Sequence, residues 1–167
     1  MVKQSPHPKK SFTEPNHLVG NRGGPLIPVL VVDDNEPFRR FVRSTLSTKP
    51  ELDILGEVAD GLEAVQKALE LQPGLIVLDI GLPGLNGLEA ARRIRKLSPK
   101  STILFLSQES SPEIVQEALC LGGLGYVIKA HAARDLLIGL EAVLRNEQFV
   151  SNALKAADTK ADAPGLV

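Results

Sequence analysis

The sequence predicts an α/β fold, a doubly wound sheet of five parallel strands in (βα)5 order. Short apolar runs recur five times, and each is followed by a stretch with apolar residues at helical spacing. The runs are mostly continuous rather than alternating in polarity, as strands become when crossover helices bury both faces. Four of the five runs end in a polar or charged residue. In such sheets ligands bind beyond the carboxyl ends of the strands, at a switch in strand order, so these residues matter most.

Taken in order, PVLVVDD (28–34) is an apolar run ending in two acids. Phe38, Phe41, Val42 and Leu46 then recur at helical spacing, and Pro50 closes that segment. LDILGEVAD (52–60) reads as the second strand, and Leu62, Val65, Ala68 and Leu69 as the stripe of the second helix, closed by Pro73-Gly74. LIVLD (75–79) is the third strand; Leu88, Ala91, Ile94 and Leu97 make the third stripe, with Arg92, Arg93 and Lys96 on its wet side. TILFLS (102–107) is the fourth strand. Pro112 suits the first turn of the next helix, which carries Ile114, Val115, Ala118 and Leu119. GYVIK (125–129) is the fifth strand, and Leu136, Leu137, Leu140, Val143 and Leu144 form the last stripe. Residues 1–27 and 151–167 read as flexible extensions flanking one domain at 28–150, because their Pro, Gly and polar content lacks periodicity.

Composition narrows the function classes. The 167 residues are 43% hydrophobic and 23% charged with net charge −1, which fits one packed domain without bulk attraction to nucleic acid. No membrane span and no secretory h-region is legible, so a cytoplasmic location is expected. The single cysteine, Cys120, allows no internal disulfide, and its apolar neighbours suggest packing. His7, His17 and His131 lack metal-ligand spacing. The glycines of LGGLG (121–125) follow a helix rather than a strand, the wrong context for a dinucleotide fingerprint, and read as a helix cap and turn. No Trp and one Tyr leave few rings for base stacking.

The strand ends carry the chemistry. Strand one ends in Asp33-Asp34, strand three in Asp79, strand four in Ser107 and strand five in Lys129. Singly, each can be a cap, a turn residue or a snorkelling lysine. Together, three converging carboxylates repel; at about 4 Å and an effective dielectric of about 20 each pair costs on the order of 4 kcal/mol. A hard divalent cation such as Mg²⁺ removes that cost with oxygen ligands alone. A cation, an ammonium and a hydroxyl around one carboxylate suit phosphoryl transfer, with Asp79 as nucleophile.

VLVVDDN, LIVLDIGLPGLNGLE, ILFLS and GYVIK, in that order over residues 28–145, resemble the signature blocks of response-regulator receiver domains, the CheY-like fold. The resemblance implies strand order 2-1-3-4-5, Asp79 as phosphoacceptor and Mg²⁺ as cofactor. It implies metal ligation by Asp79 and Asp34 directly, by Asp33 through water and by the Gly81 backbone carbonyl. Ser107 takes the hydroxyl role, Lys129 pairs with the phosphoryl group, and Ser107 and Tyr126 form the switch. Pro83 and Gly87 shape the loop after the phosphorylated strand. The implied partner is a sensor histidine kinase or phosphotransfer protein, with a possible homodimer through the fourth helix, fifth strand and fifth helix.

Two positions depart from the common pattern. Gln108 follows Ser107 where many receivers have a smaller residue. Ala130 follows Lys129 where many have a cis proline; a cis bond before alanine costs about 2.5–4 kcal/mol, so a trans bond and a different loop are expected. With LSQESSPE, GLGYVIKA and NEQFVS, these features resemble the NarL/LuxR-type subgroup, whose members continue into a helix-turn-helix domain. The chain thus reads as a stand-alone receiver or as a DNA-binding regulator without that domain; no direct nucleic-acid contact is expected from these residues. A Mg²⁺-dependent phosphatase with an aspartyl intermediate is the enzymatic alternative. Haloacid-dehalogenase-type phosphatases, however, place the nucleophile in a D-x-D motif after the first strand, whereas Asp33 and Asp34 are adjacent.

Overall fold

The structure, a computed structural model, describes residues 24–152; the extensions expected over 1–27 and 151–167 lie almost wholly outside them. The elements are β1 (Ile27–Val32), α1 (Glu36–Leu46), β2 (Leu52–Val58), α2 (Gly61–Leu71), β3 (Leu75–Leu78), α3 (Gly87–Leu97), β4 (Thr102–Ser107), α4 (Pro112–Cys120), β5 (Gly123–Ile128), α5 (Ala132–Leu144) and β6 (Phe149–Val150). All pairings are parallel, in the order β2-β1-β3-β4-β5-β6. The five-stranded core follows the expected order. Among the described residues no helix is long and apolar enough to cross a membrane.

Side chains alternate across the sheet, so each strand feeds two layers. Val29, Val31, Leu75, Val77, Leu104, Leu106 and Val127 pack with Val42 and Leu46 of α1 and Leu136, Leu140 and Val143 of α5. Their neighbours Leu30, Val32, Ile76, Leu78, Ile103, Phe105, Tyr126 and Ile128 pack with Ala64 and Ala68 of α2, Leu88, Ala91 and Ile94 of α3, and Val115 and Ala118 of α4. This is why β1, β3 and β4 read as unbroken apolar runs: both parities are buried. Each fully buried Leu, Ile or Val in these layers contributes roughly 1.5–3 kcal/mol. Asn35, Asp60, Asn86 and Ser111 cap α1 to α4 by accepting from backbone N–H groups, which fixes where the chain turns back beneath the sheet.

Four details differ from the sequence expectation. A sixth strand, Phe149–Val150, extends the sheet beyond β5, so the edge is one strand further out. The second half of LGGLG is strand: Gly123 and Gly125 lie in β5, where a Cβ at Gly125 would stand 2.3 Å from Leu104 Cδ1. Gly122, with φ +93°, is the turn glycine. Lys129 opens a 3-10 turn, Lys129–His131, instead of ending the strand, and this turn is the altered route into α5; no cis peptide bond occurs among the described residues. Cys120, at the last position of α4, is exposed rather than packed, because the buried face of that helix runs through Val115 and Ala118.

Candidate functional site

Side-chain parity explains which groups meet. Asp33 continues the row Val29-Val31, Asp79 the row Leu75-Val77, and Lys129 follows Val127, so all three start on the α1/α5 side of the sheet. β1 pairs with β3 with Val32 opposite Leu78, and Asp79 N–H donates to the Val32 carbonyl at 2.9 Å, which brings the two acids side by side. Lys129 Nζ then reaches both: 2.8 Å to Asp79 Oδ2 and 2.6 Å to Asp33 Oδ2. Ser107 has the opposite parity and lies on the side of Phe105 and Tyr126.

The pairing is buried. The Lys129 side chain is 8% exposed, Asp33 3% and Asp79 6%. Asp79 is held at both oxygens, since Gly81 N–H donates to Oδ1 at 3.2 Å and Lys129 holds Oδ2. Asp33 Oδ1 accepts from Asn35 N–H at 2.8 Å. Its Oδ2 lies close to the ammonium but off hydrogen-bonding angles, an ion contact with no hydrogen bond of its own. Burial raises the Asp33 pKa above the ordinary carboxylate value, only partly opposed by Lys129 and the Asn35 N–H. Burial pulls Lys129 downward, and its contacts with Asp33 and Asp79 outweigh that, leaving it raised.

Asp34 is exposed and completes the acidic group: Asp33, Asp34 and Asp79 each offer an oxygen within 4.8 Å of the others. That donor set, with a buried Asp33 oxygen lacking a hydrogen bond, fits a hard divalent cation. A cavity of about 320 Å³ opens above the cluster, lined by Asp34, Asp79, Gly81, Ser107, Gln108 and Lys129 among others. Ser107 Oγ is buried and accepts from Glu109 N–H at 3.2 Å. Tyr126 is fully buried, and its hydroxyl donates to the Glu109 carbonyl at 2.8 Å. Burial pushes its phenol up to about 12, the Ser107 hydroxyl opposing.

Asp33, Asp34, Asp79, Gly81, Ser107 and Lys129 thus gather at the carboxyl edge of the sheet, with Tyr126 bonded to the loop after Ser107, while His7 and His17 lie outside the described residues. Gly81 is seen there through its N–H. Pro83 follows in the same loop, and Gly87 sits so tightly under Asp79 that a Cβ would fall 2.0 Å from the Asp79 carbonyl oxygen. Three contributors were not legible. Asn35 caps α1 and binds Asp33; Arg39 donates to the Asp33 carbonyl at 2.6 Å; and Phe38 places its ring 4.6 Å from Lys129 Nζ. Phe38 carried only the signal of a helical stripe, and the N-cap preference of Asn was the one available hint for Asn35.

The doubly wound sheet thus carries an acidic, lysine-paired cluster at its carboxyl edge, where ligands bind in such folds. Residues 29–141 match the family model for the response regulator receiver domain, and the chain belongs to that family. It is 34% identical over 126 residues to the nitrate/nitrite response regulator protein NarL of Escherichia coli, covering 75% of this chain and 58% of that protein. It is 36% identical over 121 residues to the response regulator protein VraR of Staphylococcus aureus, covering 72% and 58%. A protein-glutamate methylesterase/protein-glutamine glutaminase of Thermotoga maritima is 39% identical over 112 residues, 66% of this chain but 33% of that protein. The chain therefore spans from a third to about three-fifths of these relatives. Among solved structures it resembles a LuxR-family two-component response regulator from Aurantimonas (TM-score 0.76, 27% identity, 82% of this chain and 99% of that one). It also resembles the response regulator domain of Thermotoga maritima CheB (TM-score 0.66, 34% identity, 74% and 96%). The chain is a CheY-like receiver of the two-component response regulators, similar to the NarL/LuxR type.

Proposed function

We propose that Asp79 accepts a phosphoryl group from a partner histidine kinase or phosphotransfer protein. The carrying observation is that Asp79 is buried against Lys129 at 2.8 Å yet lines an open cavity beside two further carboxylates. An Asp79 oxygen forms the O–P bond as the N–P bond of a phosphohistidine breaks, and the imidazole leaves with the electron pair. Asp34 and Asp79 would hold Mg²⁺ directly, Asp33 through water and Gly81 through its carbonyl. When bound, that ion supplies positive charge to the phosphoryl oxygens. Lys129 transfers its contact from Asp79 Oδ2 to a phosphoryl oxygen, and Ser107 donates its hydroxyl to another.

The added dianion then shifts an inactive–active equilibrium through Ser107 and Tyr126. The output face is α4, β5 and α5, where a second copy or another protein docks. β6 runs along β5, so Phe149 and Val150 belong to that face. The receiver unit takes in the expected 28–150 together with Ile27 of β1 and the buried Ser151, works in the cytoplasm without membrane or direct nucleic-acid contact, and accepts a phosphoryl group rather than turning over a substrate. The adjacency of Asp33 and Asp34 supports acceptor over phosphatase.

Acetyl phosphate with Mg²⁺, read by intact mass, tests the assignment. One phosphoryl adduct is expected on wild type and none on Asp79→Asn. Equal labelling of the two sinks the assignment, and repeated turnover of a phosphoester favours the phosphatase.

A further inference from the structure

We infer that Phe38 is a positioning residue for Lys129, a cation–π platform that holds the ammonium when its carboxylate partners are taken up by other charges. The inference rests on the acceptor role proposed for Asp79. Lys129 Nζ has three close neighbours: Asp33 Oδ2, Asp79 Oδ2 and the face of the Phe38 ring, whose centroid is 4.6 Å away. An ammonium within about 6 Å of a ring centroid is attracted by the ring quadrupole, and more strongly when desolvated. Lys129 is almost fully buried, so the attraction acts with little screening by water.

The ring is built on the same loop as the acids. Asn35 N–H donates to Asp33 Oδ1 at 2.8 Å, and Asn35 Oδ1 accepts from Phe38 N–H at 2.9 Å. Arg39 then donates to the Asp33 carbonyl at 2.6 Å. Phe38 is therefore fixed to Asp33 through backbone and cap, on the α1 side of the sheet that parity assigns to Lys129. Phe38 and Lys129 also share the wall of a second hollow, with Asn35, Gln108 and Ala130, beside the acidic cavity.

The two carboxylates are the contacts that the proposed reaction alters. Asp79 becomes an acyl phosphate, and Asp33 turns toward a divalent cation that repels the ammonium. Phe38 is uncharged, so neither change repels it, and its contact with the ammonium strengthens as the two carboxylates release that group. It limits where the flexible lysine head can go and keeps the ammonium in place to meet a phosphoryl oxygen.

Ring fluorination separates this role from packing, because it weakens the quadrupole while leaving shape nearly unchanged and apolarity undiminished. Phe38 is replaced by phenylalanines with one, two or three ring fluorines, and affinity for beryllofluoride with Mg²⁺ is measured by titration. Stability in chelator, without divalent ions, is measured on the same proteins. Affinity is expected to fall stepwise, by roughly tenfold across the series, the scale of a desolvated cation–π contact. Metal-free stability is expected to fall in the same order, and the same series at Phe41, whose ring lies 5.4 Å from that of Phe38, is expected to change neither. A flat or rising series at Phe38 with tight wild-type binding overturns the inference and leaves the acceptor role standing. A wild type that neither binds beryllofluoride nor labels at Asp79 overturns both.

Discussion

Ser151 is bonded to the strand that carries Tyr126: its N–H donates to the Tyr126 carbonyl at 2.9 Å. Its hydroxyl also accepts from Ile128 N–H at 3.1 Å, and Ser151 itself is fully buried. The pairing of β6 with β5 covers only Gly125–Phe149 and Tyr126–Val150; the Ser151 N–H bond completes that ladder and the hydroxyl bond to Ile128 clasps its end. Ser151→Ala leaves the Ile128 N–H buried without a partner, and is expected to cost about 1–3 kcal/mol in urea unfolding. Amide exchange at Ile128 should accelerate with it. A loss below about 0.5 kcal/mol with unchanged exchange rules out the clasp.

Gly87→Ala is expected to be the most damaging small substitution near the site. The new methyl would stand 2.0 Å from the Asp79 carbonyl oxygen and 2.7 Å from Ile80 Cα, both backbone atoms that cannot swing aside. Gly87 N–H also donates to the Ile80 carbonyl at 2.8 Å, so the contact cannot relax without losing that bond. Destabilisation of more than about 3 kcal/mol is expected from thermal unfolding, against no measurable change for Gly24→Ala, where a Cβ meets nothing within 4 Å. Equal melting points for the two variants would contradict the packing described.

Asp33→Asn is expected to stabilise the metal-free protein at neutral pH. The carboxylate is desolvated and sits beside Asp79, whereas the amide keeps the oxygen that accepts from Asn35 N–H and drops the charge. Lys129 retains Asp79. A gain of about 1 kcal/mol is the usual scale when a functional strain is relieved. Saturating Mg²⁺ should narrow or reverse the gap, because wild type then gains more from binding; at a hundredfold excess over Kd that gain is about 2.7 kcal/mol. If Mg²⁺ raises both melting points equally, Asp33 has no part in holding the ion.

The sequence makes the site legible because parallel topology sends every strand's carboxyl end to one edge, so Asp33, Asp79, Ser107 and Lys129 can be placed without knowing any distance. Continuous apolar runs likewise reveal β1, β3 and β4, since both parities are buried. What escapes has a tertiary cause. Phe149–Val150 is too short to show a period, and its place depends on Ser151 reaching back to Ile128. Gly123 and Gly125 have low strand propensity and are strand because Phe105 and Leu104 fill the space a side chain would need. Phe38 looks like a core residue, and only the approach of α1 to the turn after β5 gives its ring a cation to face.

Tyr126 yields an alkaline signature. Its hydroxyl donates to the Glu109 carbonyl at 2.8 Å, tying the loop after Ser107 to β5, and its ring lies 6.2 Å from that of Phe105. Burial raises the phenol from 10.0 to about 12 in the folded protein. The native state therefore holds this proton at pH values where the unfolded chain has released it, so the stability it contributes is complete below pH 10.0 and lost as pH rises through about 12. Tyr126→Phe removes both the hydrogen bond and the titration. Near neutral pH the variant should be less stable by about 1 kcal/mol, the net value of one such bond. Above pH 10.0 the two unfolding curves should converge, since only wild type must release a buried proton. Lys129 also loses its contribution in alkali, but equally in both proteins, so it cancels from the difference. Curves that stay parallel across the alkaline range would show that the phenol is solvated and that the loop is not held through Tyr126.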